Sequence, residues 1–419
     1  MVKEKHEVFC WDPNVSEDPM RELSDLLLKV RPDLVGVSLR NIDSIFSFNR
    51  RSYYNPFVSM IRVIRESAPS CVLVVGGFGF SLFAEEIMNR NVEIDVGLVS
   101  EGEFAFAELL ENLDHPERVR NLIVRRGSGL FLTGRREWAN LDLLPFPSRE
   151  FFDIEKYLEA PYSFGVNTNR GCSYGCIFCP IKVMMGDSFR LRSPEKVVDE
   201  IEILVNDVGV SSFNFADELF IPLDHSRGIC REIIRRKLDI TWQAAFHPLF
   251  MNKPVMEESL KAGCTLFDFS PDGASSNALR SLGKNYSIDH VDKTVALASK
   301  MEGANVAYSF LYDLPAFNSE HVKGLMRLIP KMMVALRSKL RFVSLTKLRI
   351  YPYTQICEIA IREGKIDART DLIYPTFYES DSSPNLANFL VDTMRGTSIL
   401  IGKAFQRNRV KNSDGGNNA

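Results

Sequence analysis

Three of the eight cysteines, Cys172, Cys176 and Cys179, fall within eight consecutive residues, directly after an extended apolar stretch over Phe164–Thr168. A strand that delivers a thiol-rich loop is a strong constraint on the fold, because the loop must open where metal and substrate can reach it. Thiolates spaced C-x3-C-x2-C can wrap one corner of a cuboidal iron–sulfur cluster. A [4Fe–4S] cluster takes four thiolates, so three local ones leave one iron to an outside ligand. Gly171 and Gly175 let the backbone bend closely around the metal. Zinc needs four ligands, and no further His or Cys lies within about forty residues on either side. The other five, Cys10, Cys71, Cys230, Cys264 and Cys357, sit in apolar or helical patterns and read as small buried hydrophobes.

The 419 residues exceed a typical single domain, and 45% hydrophobic with 25% charged residues excludes a disordered chain. A net charge of -3 gives no electrostatic footprint for nucleic acid. No apolar run approaches the ~20 residues of a membrane span. Met1–Glu7 has no apolar signal core, so a soluble cytoplasmic protein is expected. The fold expected is α/β, in two parts. In residues 1–135, strands at Val8–Trp11, Asp33–Ser38, Val72–Gly77 and Ile94–Val99 alternate with helices at Pro19–Val30, Phe57–Glu66, Phe83–Asn89 and Glu103–Asn112. That pattern predicts a parallel, doubly wound, Rossmann-like sheet. Val124–Gly129 reads as a turn between two short strands. Residues 136–160, with Pro145 and Pro147, read as a linker.

Residues 161–366 repeat the alternation, with strands at Phe164–Thr168, Ser212–Ala216, Ile240–Ala245, Thr265–Ser270, Val306–Tyr312 and Phe342–Ile350. Six strand–helix units predict a partial (β/α)6 barrel with its site at the strands' C-terminal ends. The helix after Ser193-Pro194 buries Val197, Val198, Ile201, Leu204 and Val205 on one face, with Ser193 as N-cap. Residues 367–408 form a helical region with one helix over Ser383–Phe405, and 409–419 read as a disordered tail.

The loop Cys172-x3-Cys176-Ile177-Phe178-Cys179, with Phe178 as its aromatic, resembles the cluster motif of the radical S-adenosylmethionine (SAM) superfamily. The resemblance implies a [4Fe–4S] cluster whose open iron is chelated by SAM, and reductive cleavage of SAM to a 5′-deoxyadenosyl radical. It also implies SAM contacts from Asp217 and Glu218 after the second barrel strand, Ser270 and Asp272 after the fourth, Tyr308 on the fifth, and Arg349 and Tyr351 after the sixth. The electron donor implied is a flavodoxin or ferredoxin.

In the first domain, Ser38-Leu39-Arg40, Gly76-Gly77-Phe78 and Glu101-Gly102 close adjacent strands. Small residues at strand ends make room for a long ligand tail, and ahead of such a barrel they resemble the cobalamin-binding branch of the superfamily. Leu144–Pro147 is similar to that branch's linker. The Asp-x-His-x-x-Gly motif of histidine-ligated cobalamin domains does not occur, and neither His6 nor His115 has its context. Cobalt is then expected to lack a histidine ligand, with Arg40 near that face. Compared with the branch, the chain starts one strand–helix unit late, which leaves open a domain that keeps the shape without the cofactor.

The resemblance implies a methyltransferase acting on an unactivated carbon or phosphinate centre of a small molecule, with methylcobalamin as methyl donor. Ser38–Asp43 is similar to the phosphinothricin-type and thiopeptide tryptophan methyltransferases of the branch. Two alternatives stand beside it. One is a radical cyclase or rearrangement oxidoreductase with the same cofactors, the other a non-catalytic metal-binding protein. Tyr162, Phe246, Phe317 and Tyr353 are candidates for an aromatic barrel mouth, although core packing explains them equally well. No residue is singled out as a catalytic acid or base.

Overall fold

The structure is a computed structural model and describes residues 2–381, except Asn49, Ser128, 159–161, Pro222 and 316–318. The expected helix over Ser383–Phe405, the tail 409–419 and Phe317 lie outside the described residues. Residues 367–381, counted with the helical region, hold turns and a bridge between Phe377 and Arg349 but no helix.

Two α/β sheets carry the described residues, the first mixed and the second parallel. The first has the order β1 (Leu34–Ser38), β2 (Val72–Gly76), β3 (Val96–Leu98), β4 (Leu122–Arg126), β5 (Gly129–Leu132). Its first three strands are parallel, in the register Ser38 to Gly76 and Val75 to Gly97, and β4–β5 is an antiparallel hairpin added beside β3. The Pro19–Val30 helix starts where expected: Asp18 accepts the Arg21 N–H and proline sits in the first turn. The expected strand Val8–Trp11 does not form. Phe9 is 53% exposed and Cys10 lies on the surface rather than buried, because a four-residue apolar run pairs only if another strand presents an edge to it. Of the other cysteines read as buried, Cys71, Cys230 and Cys264 are, while Cys357 is half-buried.

The second sheet is the partial barrel. β6 (Gly165–Val166), β9 (Ser212–Phe215), β10 (Thr241–Phe246), β11 (Cys264–Asp272), β12 (Val306–Asp313) and β13 (Leu340–Lys347) are parallel and adjacent in that order. A small ribbon, β7 (Asn169–Arg170) with β8 (Arg190–Leu191), brackets the cysteine loop. Val197, Val198, Ile201 and Leu204 are fully buried, as their period requires, in the core that fills the space between strands and helices. Ser193 stands at that helix's N-cap, but its side chain caps nothing, and its N–H donates to Asp142 instead.

The two parts lock together at the barrel mouth. Residues 43–52, after β1, reach across to the end of β13, where Ser47 bonds Thr346 and the Lys347 N–H. Asp43 pairs with Arg349 at 2.8 Å in the interior. On the other side Glu101 accepts from Arg170 and Arg190, on the two strands of the ribbon, and from the Ala139 N–H.

Candidate active site

Cys172, Cys176 and Cys179 occupy the loop that leaves the ribbon at the barrel mouth. Its shape depends on two glycines. Gly171 has φ +83°, and a Cβ there would lie 2.2 Å from the Ser188 carbonyl oxygen. Gly175 is not the second tight position. Gly283, at φ +74°, is, because a Cβ on it would lie 2.2 Å from the Gly175 oxygen. The Ile177 N–H donates to the Leu282 carbonyl, and the Ile177 carbonyl accepts from Ile356, so the loop is held from both sides. Gly283→Ala is therefore expected to lower reconstituted iron without removing a ligand. Gly209→Ala, equally left-handed at +75° but with nothing within 4 Å, should leave iron unchanged. Iron per chain in the two variants checks this.

Burial pushes all three thiols up, Cys179 to about 12, and each is affected by its neighbours' charge. A cationic cluster reverses this by taking the thiolate form and releasing the protons. Among the described residues no three His, Cys, Asp or Glu converge on a single-ion site. A cuboidal cluster asks for one thiolate per iron, not convergence on a point.

Around the loop, the residues expected to contact SAM divide sharply. Glu218 opens onto the cleft beside Cys172 and Cys179; desolvation pushes its carboxyl up, opposed by Arg40. Asp217 is spent on the protein, its oxygens accepting the Thr168 hydroxyl at 2.6 Å and the Thr168 and Asn169 N–H groups at 2.7 and 3.1 Å. It fixes the segment leading into the cysteine loop, and burial pushes it up to about 6. Ser270 is exposed, and Asp272, at φ +65°, pairs at 2.6 Å with Lys284, which also bonds the Ser270 carbonyl and lies over the Phe178 ring.

Tyr308 and Arg349 do not serve as expected. Tyr308 faces the helices, fully buried and stacked between Phe269 and Phe310, with its hydroxyl on Thr294. The Arg349 guanidinium is consumed by Asp43 and by the Ile350, Thr376 and Leu372 carbonyls. The Tyr351 hydroxyl also turns to Asp43. The aromatic candidates do not converge either: Phe246 is core, the Tyr162 hydroxyl bonds Thr265, and Tyr353 is 69% exposed.

Beside the ribbon lies a cavity of about 600 Å³, lined by the C-terminal ends of β1 to β3, the Leu144–Pro147 segment and Arg170. Ser38, Gly76, Gly77 and Gly102 of the expected cobalamin set line it, together with Gly36 and Phe106, which the sequence did not single out. A Cβ on Gly36 would meet nothing nearer than Phe106 at 3.8 Å, so the glycine leaves open space. Gly77, at φ +99°, is needed because a Cβ would lie 2.7 Å from the Leu39 oxygen. Leu39 is buried beneath, and Phe78 begins the next helix.

Glu101, expected in the cofactor set, is the clamp between the two parts. Burial pushes its carboxyl up, and Arg190, the Ala139 N–H and Arg170 more than reverse this, holding it below the usual range. Arg40 lines a second cavity, inside the barrel. Among the described residues no histidine lines either cavity.

The parallel partial barrel and the three thiols on the loop after its first strand are the features that carry the likeness to radical SAM enzymes. The radical SAM superfamily model matches residues 166–329. The fold of the described residues resembles that of solved radical S-adenosylmethionine enzymes. It aligns with TsrM of Kitasatospora setae, bound to tryptophan and a SAM analogue, over 92% of this chain and 77% of that one, with a TM-score of 0.76 and 20% identity. In sequence it is similar to the uncharacterized methyltransferase PH0819 of Pyrococcus horikoshii, 25% identical over 86% of this chain and 76% of that protein. It is also similar to the anaerobic magnesium-protoporphyrin IX monomethyl ester cyclase of Rubrivivax gelatinosus, 25% identical over 68% of this chain and 51% of the cyclase. It spans about half the length of that cyclase. Among the described residues no helix is long and apolar enough to cross a membrane.

Proposed function

We propose that this chain is a cobalamin-dependent radical SAM methyltransferase that acts on a small molecule. The observation that carries the reading is the 600 Å³ cavity at the strand ends, which shares Arg170 with the ribbon leading into the cysteine loop. Cofactor tail and cluster then lie on one interface. When bound, the cluster and SAM supply an electron, a radical source and a methyl group, and cobalamin carries the methyl.

The chain's own residues hold and neutralise. Cys172, Cys176 and Cys179 take three irons, and Glu218 stands beside two of them, able to accept from an ammonium. Lys284 and Asp272 neutralise one another next to Cys176. Ser47 ties the segment after β1 to the end of β13 at the mouth. A flavodoxin or ferredoxin supplies the electron, and a reducing cytoplasm suits a thiolate-held cluster.

Anaerobic reconstitution with iron, sulfide and hydroxocobalamin tests the reading, with SAM products measured after reduction. About four irons and about one cobalt per chain, with S-adenosylhomocysteine formed, are the expected result. 5′-Deoxyadenosine without S-adenosylhomocysteine in the presence of substrate supports the cyclase instead. Gly36→Leu, which projects a side chain into the open cavity, should abolish cobalt binding while iron stays at the unmodified level. Equal cobalt in the variant assigns the cofactor elsewhere.

A further inference from the structure

Inside the barrel, between β9, β10 and β11, lies a second cavity of about 330 Å³. Asn214, Gln243 and Leu266 stand side by side in register at its wall, and Asp268, two residues beyond Leu266, shares their face one layer nearer the mouth. The remaining wall is mostly apolar, Phe215, Ala216, Ala244, Ala245 and Phe342, with Arg40 and the already committed Asp217 as its other charged members. The Asn214 amide N–H groups are committed to the Tyr162 and Phe164 carbonyls. The Gln243 amide makes no hydrogen bond to the described residues. Asp268 Oδ1 is enclosed and has no partner.

An enclosed carboxylate oxygen without a partner is costly, and native structures rarely keep one without an occupant to satisfy it. The protein offers no counter-ion. Asp272, whose charge acts on Asp268, is itself paired with Lys284, and Arg40, the only cation among the described lining residues, acts on Glu218. Burial and then Asp272 push the Asp268 carboxyl up against the opposing Phe269 N–H, and a bound cation would reverse the shift.

We infer that this lumen is the substrate pocket and that it takes a small amine with an apolar body, the ammonium pairing with Asp268 and the Gln243 amide completing its hydrogen bonds. The inference rests on the radical methyltransferase reading for its chemistry, but binding is tested apart from it. Calorimetry on the reconstituted holoprotein compares 2-phenylethylamine with its neutral isostere 2-phenylethanol and with phenylacetate. The amine should bind about tenfold or more tightly than the alcohol, the scale of a charge-assisted hydrogen bond, and phenylacetate weakest. Asp268→Asn should erase the preference for the amine and leave the alcohol unchanged, and Gln243→Leu should reduce it.

Equal binding of amine and alcohol by the unmodified protein overturns the inference, as does an amine preference that survives Asp268→Asn. The first comparison needs no variant, so a folding defect cannot obscure it. Iron, cobalt and SAM cleavage measured on the same preparation show separately whether the enzyme reading itself has failed.

Discussion

Replacing Cys172, Cys176 or Cys179 singly with alanine should take reconstituted iron from about four atoms per chain to near zero and abolish SAM cleavage. Each thiolate would carry a different iron; Cys71, Cys230 and Cys264 are buried in the two cores, Cys10 is on the surface, and Cys357, which packs on the same apolar cluster as Ile177 and Phe178, is the one other cysteine placed near the loop. The loss should be close to complete, because two thiolates cannot hold a cuboidal cluster whose fourth corner already lacks a protein ligand. Cys10→Ala and Cys357→Ala should keep full iron and full cleavage. Iron assay and the visible cluster absorbance read both sets. A triad variant that retains four irons would remove the loop from the cluster, whatever the remaining resemblance.

The loop was legible because its information is local. Three thiols, an aromatic and a bracketing glycine lie within nine residues, Gly171 to Cys179. The six barrel strands were legible because each is a short β-branched or aromatic-rich segment set between helical patterns, even where a polar residue such as Asn214 or Gln243 interrupts it. What could not be read depends on approach in space. Gly283 looks like any helix-terminating glycine until Gly175 is seen to pack on it from more than a hundred residues away. Asp217 and Glu218 are neighbours of one chemistry. The strand end turns one back onto Thr168 and the other onto the cleft.

Tyr308 failed on parity, since a buried strand carries apolar residues on both faces and no alternation says which face is the lumen. Glu101 and Arg349 failed for another reason. A charged residue at a strand end suits a ligand and an inter-domain ion pair equally, and only the partner decides.

Arg349→Ala should be the most destabilising single change away from the cluster, by roughly 3–5 kcal/mol, because it leaves a buried carboxylate without its counter-ion. The Arg349 and Asp43 side chains are 4% and 0% exposed, and Asp43 keeps only the Ile45 N–H and a long contact from the Tyr351 hydroxyl once the guanidinium is gone. The Ile350 and Leu372 carbonyls lose their donor in the same step, and the Thr376 carbonyl is left with the Ile350 N–H. The double variant Asp43→Ala/Arg349→Ala should lose less than the sum of the two singles, since neither charge is then stranded. The exposed pair Lys5–Glu111 supplies the contrast: Lys5→Ala should be nearly silent in thermal unfolding. The pair also joins residues 43–52 to the segment after β13, so Arg349→Ala should hasten proteolysis within 43–52 before global unfolding begins. A melting temperature and cleavage rate matching those of Lys5→Ala would mean that the segment after β1 is held to β13 by the Ser47 contacts alone.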